Sequence, residues 1–310
     1  MNAVDVVRRL VNLHRAQLFG VIDVRGVNKL KPVYSQAREE LARKLRRLQV
    51  AGKGQTFSAI HLRAVLNQVT HSLQEFEGPL AAHMEDVGEL AAKVGPRQVS
   101  QMIGDVTAHL GKMTPVIQAS QVAVVRGVYP KIKPMLLEKY RRSARLYGPQ
   151  SLKAIKDGLA QSLVQGETVD EAVDRLVGSG GLFDGQRWRA ERIVRTELAY
   201  TANASRQQAM LDFQRQAVPK LLKRWVETFD DRTGEDSKQL NGQTVPVDQP
   251  FVWEVKDAHG RPTGEVKYFQ HGPNRPHDRS VQIPWQSGWG ASAVAAPGPV
   301  TPTTRGLPGA

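Results

Sequence analysis

Apolar positions recur every three or four residues through the first 150 residues of the chain. Tyr34, Ala37, Leu41, Leu45 and Leu48 form one such series, and Leu62, Leu66, Val69, Leu73 and Phe76 form a second. Leu80, Met84, Val87, Ala91 and Val94 continue the rhythm beyond Gly78-Pro79. This period places each series along one narrow helical stripe, suited to helix-on-helix packing in hairpins or a bundle. The stripes read as internal core, because an amphipathic helix ordinarily buries its apolar face within its own fold. Pro32, Pro79, Pro96, Pro115, Pro130 and Pro134 mark helix starts or breaks, since proline lacks the amide donor that a helix interior needs.

The helical pattern persists to about residue 218. Leu152, Ile155, Leu159 and Leu163 line one face, Gly166 ends that helix, and Thr168-Val169-Asp170-Glu171 has the form of a capping box opening the next. This second helix runs through Val173 and Leu176 to the Gly178-Ser179-Gly180-Gly181 turn. A longer one spans Trp188 to about Phe213, with Pro219 as its limit. The period then becomes extended: Leu221–Phe229, Thr244–Val247, Phe251–Val255, Glu265–Phe269 and Val281–Trp285 read as short strands, with turns at Asn241-Gly242 and His259-Gly260. From Gly288 the composition is Ala, Gly, Pro, Ser and Thr, which predicts a flexible tail. The fold class expected is α+β and mainly α: a helical N-terminal half, a helical middle, a small irregular β-rich C-terminal module and the tail.

Charge divides the chain. Of 310 residues, 43 are Lys or Arg and 30 Asp or Glu, a formal net charge of +13. Residues 1–150 hold 23 basic and 11 acidic side chains, whereas residues 151–286 hold 19 of each. The domains expected are therefore a basic helical domain at 1–150, a neutral mixed domain at 151–286 and a tail at 287–310. A basic excess favours a polyanionic neighbour: nucleic acid, an anionic membrane or an acidic protein face. No run approaches the roughly 18 apolar residues of a membrane span. No secretory leader pattern opens the chain, so we expect a protein that is soluble or that rides on a larger assembly. Cysteine is absent, which excludes disulfides, thiolate metal sites and cysteine nucleophiles.

Candidate chemistry is sparse. Asp230, Asp231, Glu235 and Asp236 could bind a divalent metal, but they follow a strand in a polar loop, where acidic residues serve turns and caps. His259, His271, Asn274 and His277 are bunched too tightly for a histidine–asparagine–histidine nuclease, and His271, His277 and Asp278 make only a formal zinc set. Ala51-Gly52-Lys53-Gly54-Gln55-Thr56 lacks the spacing of a phosphate loop. We expect no cofactor, no metal and no catalytic residue. The basic clusters are Arg8 and Arg9; Arg43, Lys44, Arg46 and Arg47; and Lys131, Lys133, Lys139, Arg141, Arg142 and Arg145. They suit sequence-nonspecific contact with DNA phosphates or with an acidic protein surface.

An ordered series of residues runs from about 150 to 285. It starts with Leu163-Val164-Gln165-Gly166-Glu167-Thr168-Val169-Asp170-Glu171-Ala172, then Arg195-Thr196-Glu197 with Asn203. Trp225 and Asp230-Asp231-Arg232-Thr233 follow, then Leu240-Asn241-Gly242, and Pro276, Arg279 and Pro284 close it. In order and spacing this segment resembles the phage Mu F-type minor head, or head morphogenesis, family. Two positions depart from that family's pattern: Ser237 stands where a histidine is common, and Asp278 and Ser280 stand where cysteines flank the arginine. The resemblance implies a non-enzymatic minor head component of a tailed phage or prophage. Its partners would be portal or capsid proteins and packaged double-stranded DNA, and its place the virion head interior or portal vertex, with the host cytoplasm during assembly. A metal-dependent DNA-processing enzyme and a purely protein-binding adaptor stay open as alternatives. An arginine of the Arg195 helix is expected to lie buried between that helix and the β-module, with Asp230 or Asp231 accepting from Arg195 or Arg232.

Overall fold

A computed structural model describes residues 3–227, 234–257, 259–272, 280–286 and 289. Eight α-helices carry most of these residues: α1 (Ala3–Gly20), α2 (Asn28–Ala51), α3 (Ala59–His109), α4 (Pro115–Arg145), α5 (Tyr147–Gln165), α6 (Val169–Val177), α7 (Arg187–Gln216) and α8 (Glu235–Leu240). A π-helical turn at Val21–Val27 joins α1 to α2, and a 3-10 turn at Asp184–Gln186 precedes α7. Five short strands follow α7: β1 (Leu222–Val226), β2 (Thr244–Pro246), β3 (Phe251–Lys256), β4 (Pro262–Phe269) and β5 (Val281–Trp285). The expected class, mainly α with a small β part at the C-terminal end, is the observed one. The flexible tail expected from Gly288 onward lies outside the described residues, apart from Trp289.

The chain forms two compact units. One, here the helical unit, comprises Leu18–Ala92 and Pro130–Thr201; the other, the sheet-bearing unit, comprises Met1–Gln17, Lys93–Tyr129 and Ala202–Ala310. Each unit draws residues from both sides of position 150, and α1, α3, α4 and α7 each contribute to both.

In the helical unit the stripe residues Tyr34, Leu41, Leu45, Val69, Leu73, Phe76, Leu80, Met84 and Ala91 are all buried. Four rings form its centre. Tyr34 meets Phe76 edge-on at 5.4 Å, Phe76 meets Tyr147 at 5.2 Å, and Phe183 lies 5.1 Å from Tyr34. The Tyr34 hydroxyl donates to the Phe183 carbonyl at 2.5 Å, so the Tyr147 hydroxyl, 2.8 Å away, is the group that donates to Tyr34. Both phenols are thereby satisfied without water, and burial pushes the Tyr147 pKa up to about 12. His83 Nε2 meets the Gly26 carbonyl of the π-helical turn at 2.7 Å.

Five of the six prolines expected to break or start helices do neither. Pro32 lies within α2, Pro79 and Pro96 within α3, and Pro130 and Pro134 within α4; only Pro115 begins a helix. Each interior proline costs about 3 kcal/mol of helix propensity. Around Pro79 the side chains Leu73, Phe76, Leu80 and Met84 are essentially inaccessible, and continuous burial on that stripe exceeds the local penalty. The acidic loop expected around residue 235 is also helical: Glu235 and Asp236 occupy the first turn of α8, where carboxylates complement the helix dipole.

The sheet-bearing unit holds a three-stranded antiparallel sheet in the order β2-β1-β5 and the separate antiparallel pair β3-β4. Leu222 pairs with Trp285 and Val226 with Val281, while a bulge interrupts β3-β4 beyond Glu254. Trp225, Leu240 and Phe251 form the local core, against which Val245, Trp253 and Phe269 pack. Within this unit α3 and α7 approach closely at Gly95: a Cβ there would stand 2.6 Å from the Ala202 carbonyl oxygen and 2.9 Å from the Arg206 amide. Only glycine permits that spacing.

The predicted start of α6 is present in full. Gly166 adopts a left-handed conformation at φ +68°, Thr168 Oγ1 accepts from the Glu171 amide at 3.3 Å, and Glu171 Oε2 accepts from the Thr168 amide at 2.8 Å. Thr168→Ala removes the cap and should cost about 1 kcal/mol. Denaturant unfolding of the full chain checks this; an unchanged midpoint would show that the cap contributes nothing.

Candidate functional site

The motif residues fall into two places, one in each unit. In the sheet-bearing unit the stretch of α7 up to Gln207 is buried on every side although it is largely polar. Thr201, of the helical unit, is inaccessible, and so are Asn203 and Ser205 in the sheet-bearing unit; Arg206, Gln207 and Asp212 are each 5% exposed or less. Small residues at Ala202, Ala204 and Ala209 let neighbouring backbones come close enough to use those polar groups.

Arg206 holds the centre of this site. Its Nε and Nη2 donate to Gln98 Oε1, with Nε at 3.1 Å, and its Nη1 donates to Asn203 Oδ1 at 3.0 Å. Gln98 in turn donates to the His14 carbonyl at 2.9 Å and to Gln17 Oε1 at 3.2 Å. Asn203 donates its amide to the Ser280 carbonyl at 3.1 Å, while Gln282 on β5 donates to the Asn203 carbonyl at 2.9 Å. Thus α3 and β5 with its approach bond to one turn of α7, and α1 joins them through Gln98. Arg15 donates to the Val226 carbonyl on β1 at 3.2 Å. Burial and then the Arg15 charge disfavour the charged form of Arg206, yet a guanidinium keeps its proton at any working pH. His14 responds differently. Burial first, and the Arg206 charge second, bring its pKa down to about 4, against a weaker opposing bond to Gln101.

A second buried cation lies on β1. Lys223 is inaccessible; its Nζ donates to the Gln270 carbonyl at 2.7 Å and to Gln207 Oε1 at 3.2 Å, and sits 4.9 Å from the Phe251 ring. Gln207 also donates to the Val247 carbonyl at 2.7 Å. Desolvation lowers the Lys223 pKa to about 7, with Asp248 opposing. The arrangement fixes the strand to the helix and to the segment after β4.

Trp225, Leu240 and Gly242 of the motif meet here too. Trp225 and Leu240 share the core with Phe251, and Gly242, at φ +82°, donates its amide to the Trp225 carbonyl at 2.9 Å. Pro284 stands on β5 opposite Lys223. Ser237 and Ser280, the positions where the family pattern has other residue types, are both buried. Asp230, Asp231, Arg232, Pro276 and Arg279 lie outside the described residues, as do Asn274, His277 and Asp278.

In the helical unit the first half of α7 carries Arg195, Thr196 and Glu197. Arg195 faces Asp23 at 3.3 Å with both side chains substantially exposed, and Thr196 bonds back to the Arg192 carbonyl at 2.8 Å. Glu197 is buried; Ser143 donates to it at 2.8 Å and Lys139 lies at 3.4 Å. Desolvation raises its pKa against the opposing Lys139 charge. The buried arginine of this helix is therefore Arg206. Sequence reasoning placed Arg206 on the helix without its role, and it missed Gln98, His14, Lys223 and Gln282. The one sequence signal was alanine recurring at 199, 202, 204 and 209 among polar residues with no apolar stripe, the pattern of a helix enclosed by close neighbours.

The basic candidates differ in what they already do. Lys44 is paired with Glu75, Lys133 with Glu85 at 3.8 Å, and Lys139 with Glu197. Arg8 lies 3.9 Å from Asp5, while Arg9, Lys131, Arg141, Arg142 and Arg145 are exposed. Arg43, Arg46 and Arg47 are exposed and make no ion pair among the described residues. Among these residues no group of three metal-ligating side chains converges, and no helix is long and apolar enough to cross a membrane.

The chain is a mainly helical α+β protein whose small sheet is fastened to a polar buried helix by the Asn203 and Gln282 amides and by Lys223. Residues 153–268 match the family model described as Phage Mu protein F like protein, which bears out over that segment the resemblance carried by the ordered motifs. This is a family of structural phage head proteins. No curated protein and no solved structure gives a significant match.

Two buried groups make stability depend on pH. Between pH about 7 and 10.5 the unfolded chain holds the Lys223 proton and the folded one does not, so stability rises with pH across that window. The slope is at most about 1.4 kcal/mol per pH unit. His14 gives the same sign between pH about 4 and 6.5. Lys223→Met should abolish the alkaline rise and His14→Gln the acidic one, measured by denaturant unfolding across pH. Slopes equal to the parent's would contradict the assignment.

Proposed function

We propose that the chain is a non-enzymatic minor head component of a tailed phage or prophage. It associates with the portal vertex or capsid interior and aids head assembly and DNA packaging or delivery. The observation that carries this reading is the family match over residues 153–268. The placement of its motif residues supports it: Asn203 ties α7 to the chain entering β5, and Trp225, Leu240 and Gly242 hold β1 to α8 and its following turn, which are structural uses. Glu235 and Asp236, two of the four acids that could form a metal set, stand where they complement the start of α8.

The basic residues of positions 1–150 supply sequence-nonspecific contact with packaged double-stranded DNA, and the neutral segment 151–286 supplies an interaction surface for portal or capsid proteins. Nonspecific phosphate contact needs only accessible cations, and several arginines of the N-terminal half are exposed. Virions purified from the phage or prophage that encodes the chain should contain it by peptide mass spectrometry. An in-frame deletion should reduce the yield of DNA-filled heads by at least tenfold. Absence from purified particles, with DNA-filled heads unchanged by deletion, would overturn the proposal.

A further inference from the structure

Within the helical unit, α2 and α3 enclose an open groove of about 720 Å³ lined by Glu40, Arg43, Lys44, Arg47, Asn67 and Gln68, with Leu48 and Ala64 forming its apolar floor. Its two walls are tied by the Lys44–Glu75 ion pair. That pair occupies the one lysine of the groove, while Arg43 and Arg47, four residues apart on α2, project from one helix face and find no carboxylate among the described residues. Arg46 extends the same exposed cluster. On the opposite wall Asn67 is exposed and Gln68 half-buried, giving neutral hydrogen-bond donors across from the guanidiniums. Glu40 closes one end with a negative charge.

We infer that this groove is where the protein holds the phosphodiester backbone of duplex DNA, an inference that rests on the DNA contact proposed above. The chemistry favours phosphate. Guanidinium donors in a planar fork bind phosphate oxygens two at a time, and two arginines one helical turn apart reach successive phosphates of a strand. Side-chain amides on the far wall add hydrogen bonds that carry no base preference, as in most backbone contacts. The groove offers no exposed aromatic ring for stacking a base, which favours duplex over single strands. Glu40 repels phosphate and so fixes where the footprint ends.

The test uses the full-length chain and a fluorescent duplex of arbitrary sequence, with binding followed by anisotropy between 50 and 300 mM salt. Arg43→Gln with Arg47→Gln should weaken binding at least tenfold at low salt and flatten the log–log salt slope by about 1 per arginine. Asn67→Leu should weaken binding severalfold with the slope unchanged, because it removes a hydrogen bond and no charge. Lys256→Gln with Arg261→Gln removes two exposed charges of the β3-β4 pair and should leave the slope within 0.5 or so of the parent. If the parent binds DNA and the groove variants match it, the groove assignment is wrong while the DNA contact stands. If the parent binds no DNA even at 50 mM salt, the DNA contact itself fails. If polyglutamate displaces the duplex at equal charge, the groove is a site for acidic protein and the assignment to DNA is overturned. Circular dichroism melting of each variant checks that these exposed substitutions leave the fold intact.

Discussion

A guanidinium removed from water dictates the arrangement of the sheet-bearing unit. An arginine cannot shed its proton to escape burial, so each direction in which its fork points must hold an acceptor. Arg206 finds amide oxygens, Gln98 Oε1 and Asn203 Oδ1. Those two residues are then fixed, and the groups they have left over determine their other neighbours: Gln98 reaches the backbone of α1, and Asn203 reaches the chain entering β5. A small sheet with little apolar area of its own thereby acquires a defined position on α7. Lys223 repeats the logic on β1, with a cation that can lose its proton and therefore registers pH.

The electrostatics of the chain change meaning between sequence and space. Along the sequence the excess positive charge belongs to residues 1–150. The two compact units instead carry 23 basic against 17 acidic side chains and 20 against 13, nearly the same net charge. What distinguishes one basic residue from another is the presence of a carboxylate within reach. Lys44, Lys133 and Lys139 serve internal ion pairs, whereas Arg43, Arg46 and Arg47 leave their charge facing solvent. Exposed pairs contribute little to stability, so their main effect is to decide which cations are available to a partner.

Much of the secondary structure was legible because it depends on neighbours in sequence. The Gly166 stop and the Thr168–Glu171 capping box need only the next few residues, and β5 appears at Val281–Trp285, the range read as extended. The proline breaks were misread for the converse reason. Whether an interior proline ends a helix depends on how much the flanking turns bury, and Phe76, Leu80 and Met84 bury enough to carry α3 through Pro79. Asn203 was legible through the motif it belongs to, but its partners, a carbonyl at 280 and an arginine three residues on, were not.

The mainly helical class, the switch to short strands after α7 and the family resemblance are all readable along the chain, because periodicity, capping and motif order are local properties. Contacts in three dimensions established that Arg206 rather than Arg195 is the buried arginine of α7, that Gln98 and Gln282 complete its site, and that Arg43 and Arg47 share a groove. Those outcomes turn on contacts between residues tens to more than a hundred positions apart, and on the cost of burying a polar group without a partner. No local pattern encodes that cost, because it exists only once the surrounding elements have excluded water.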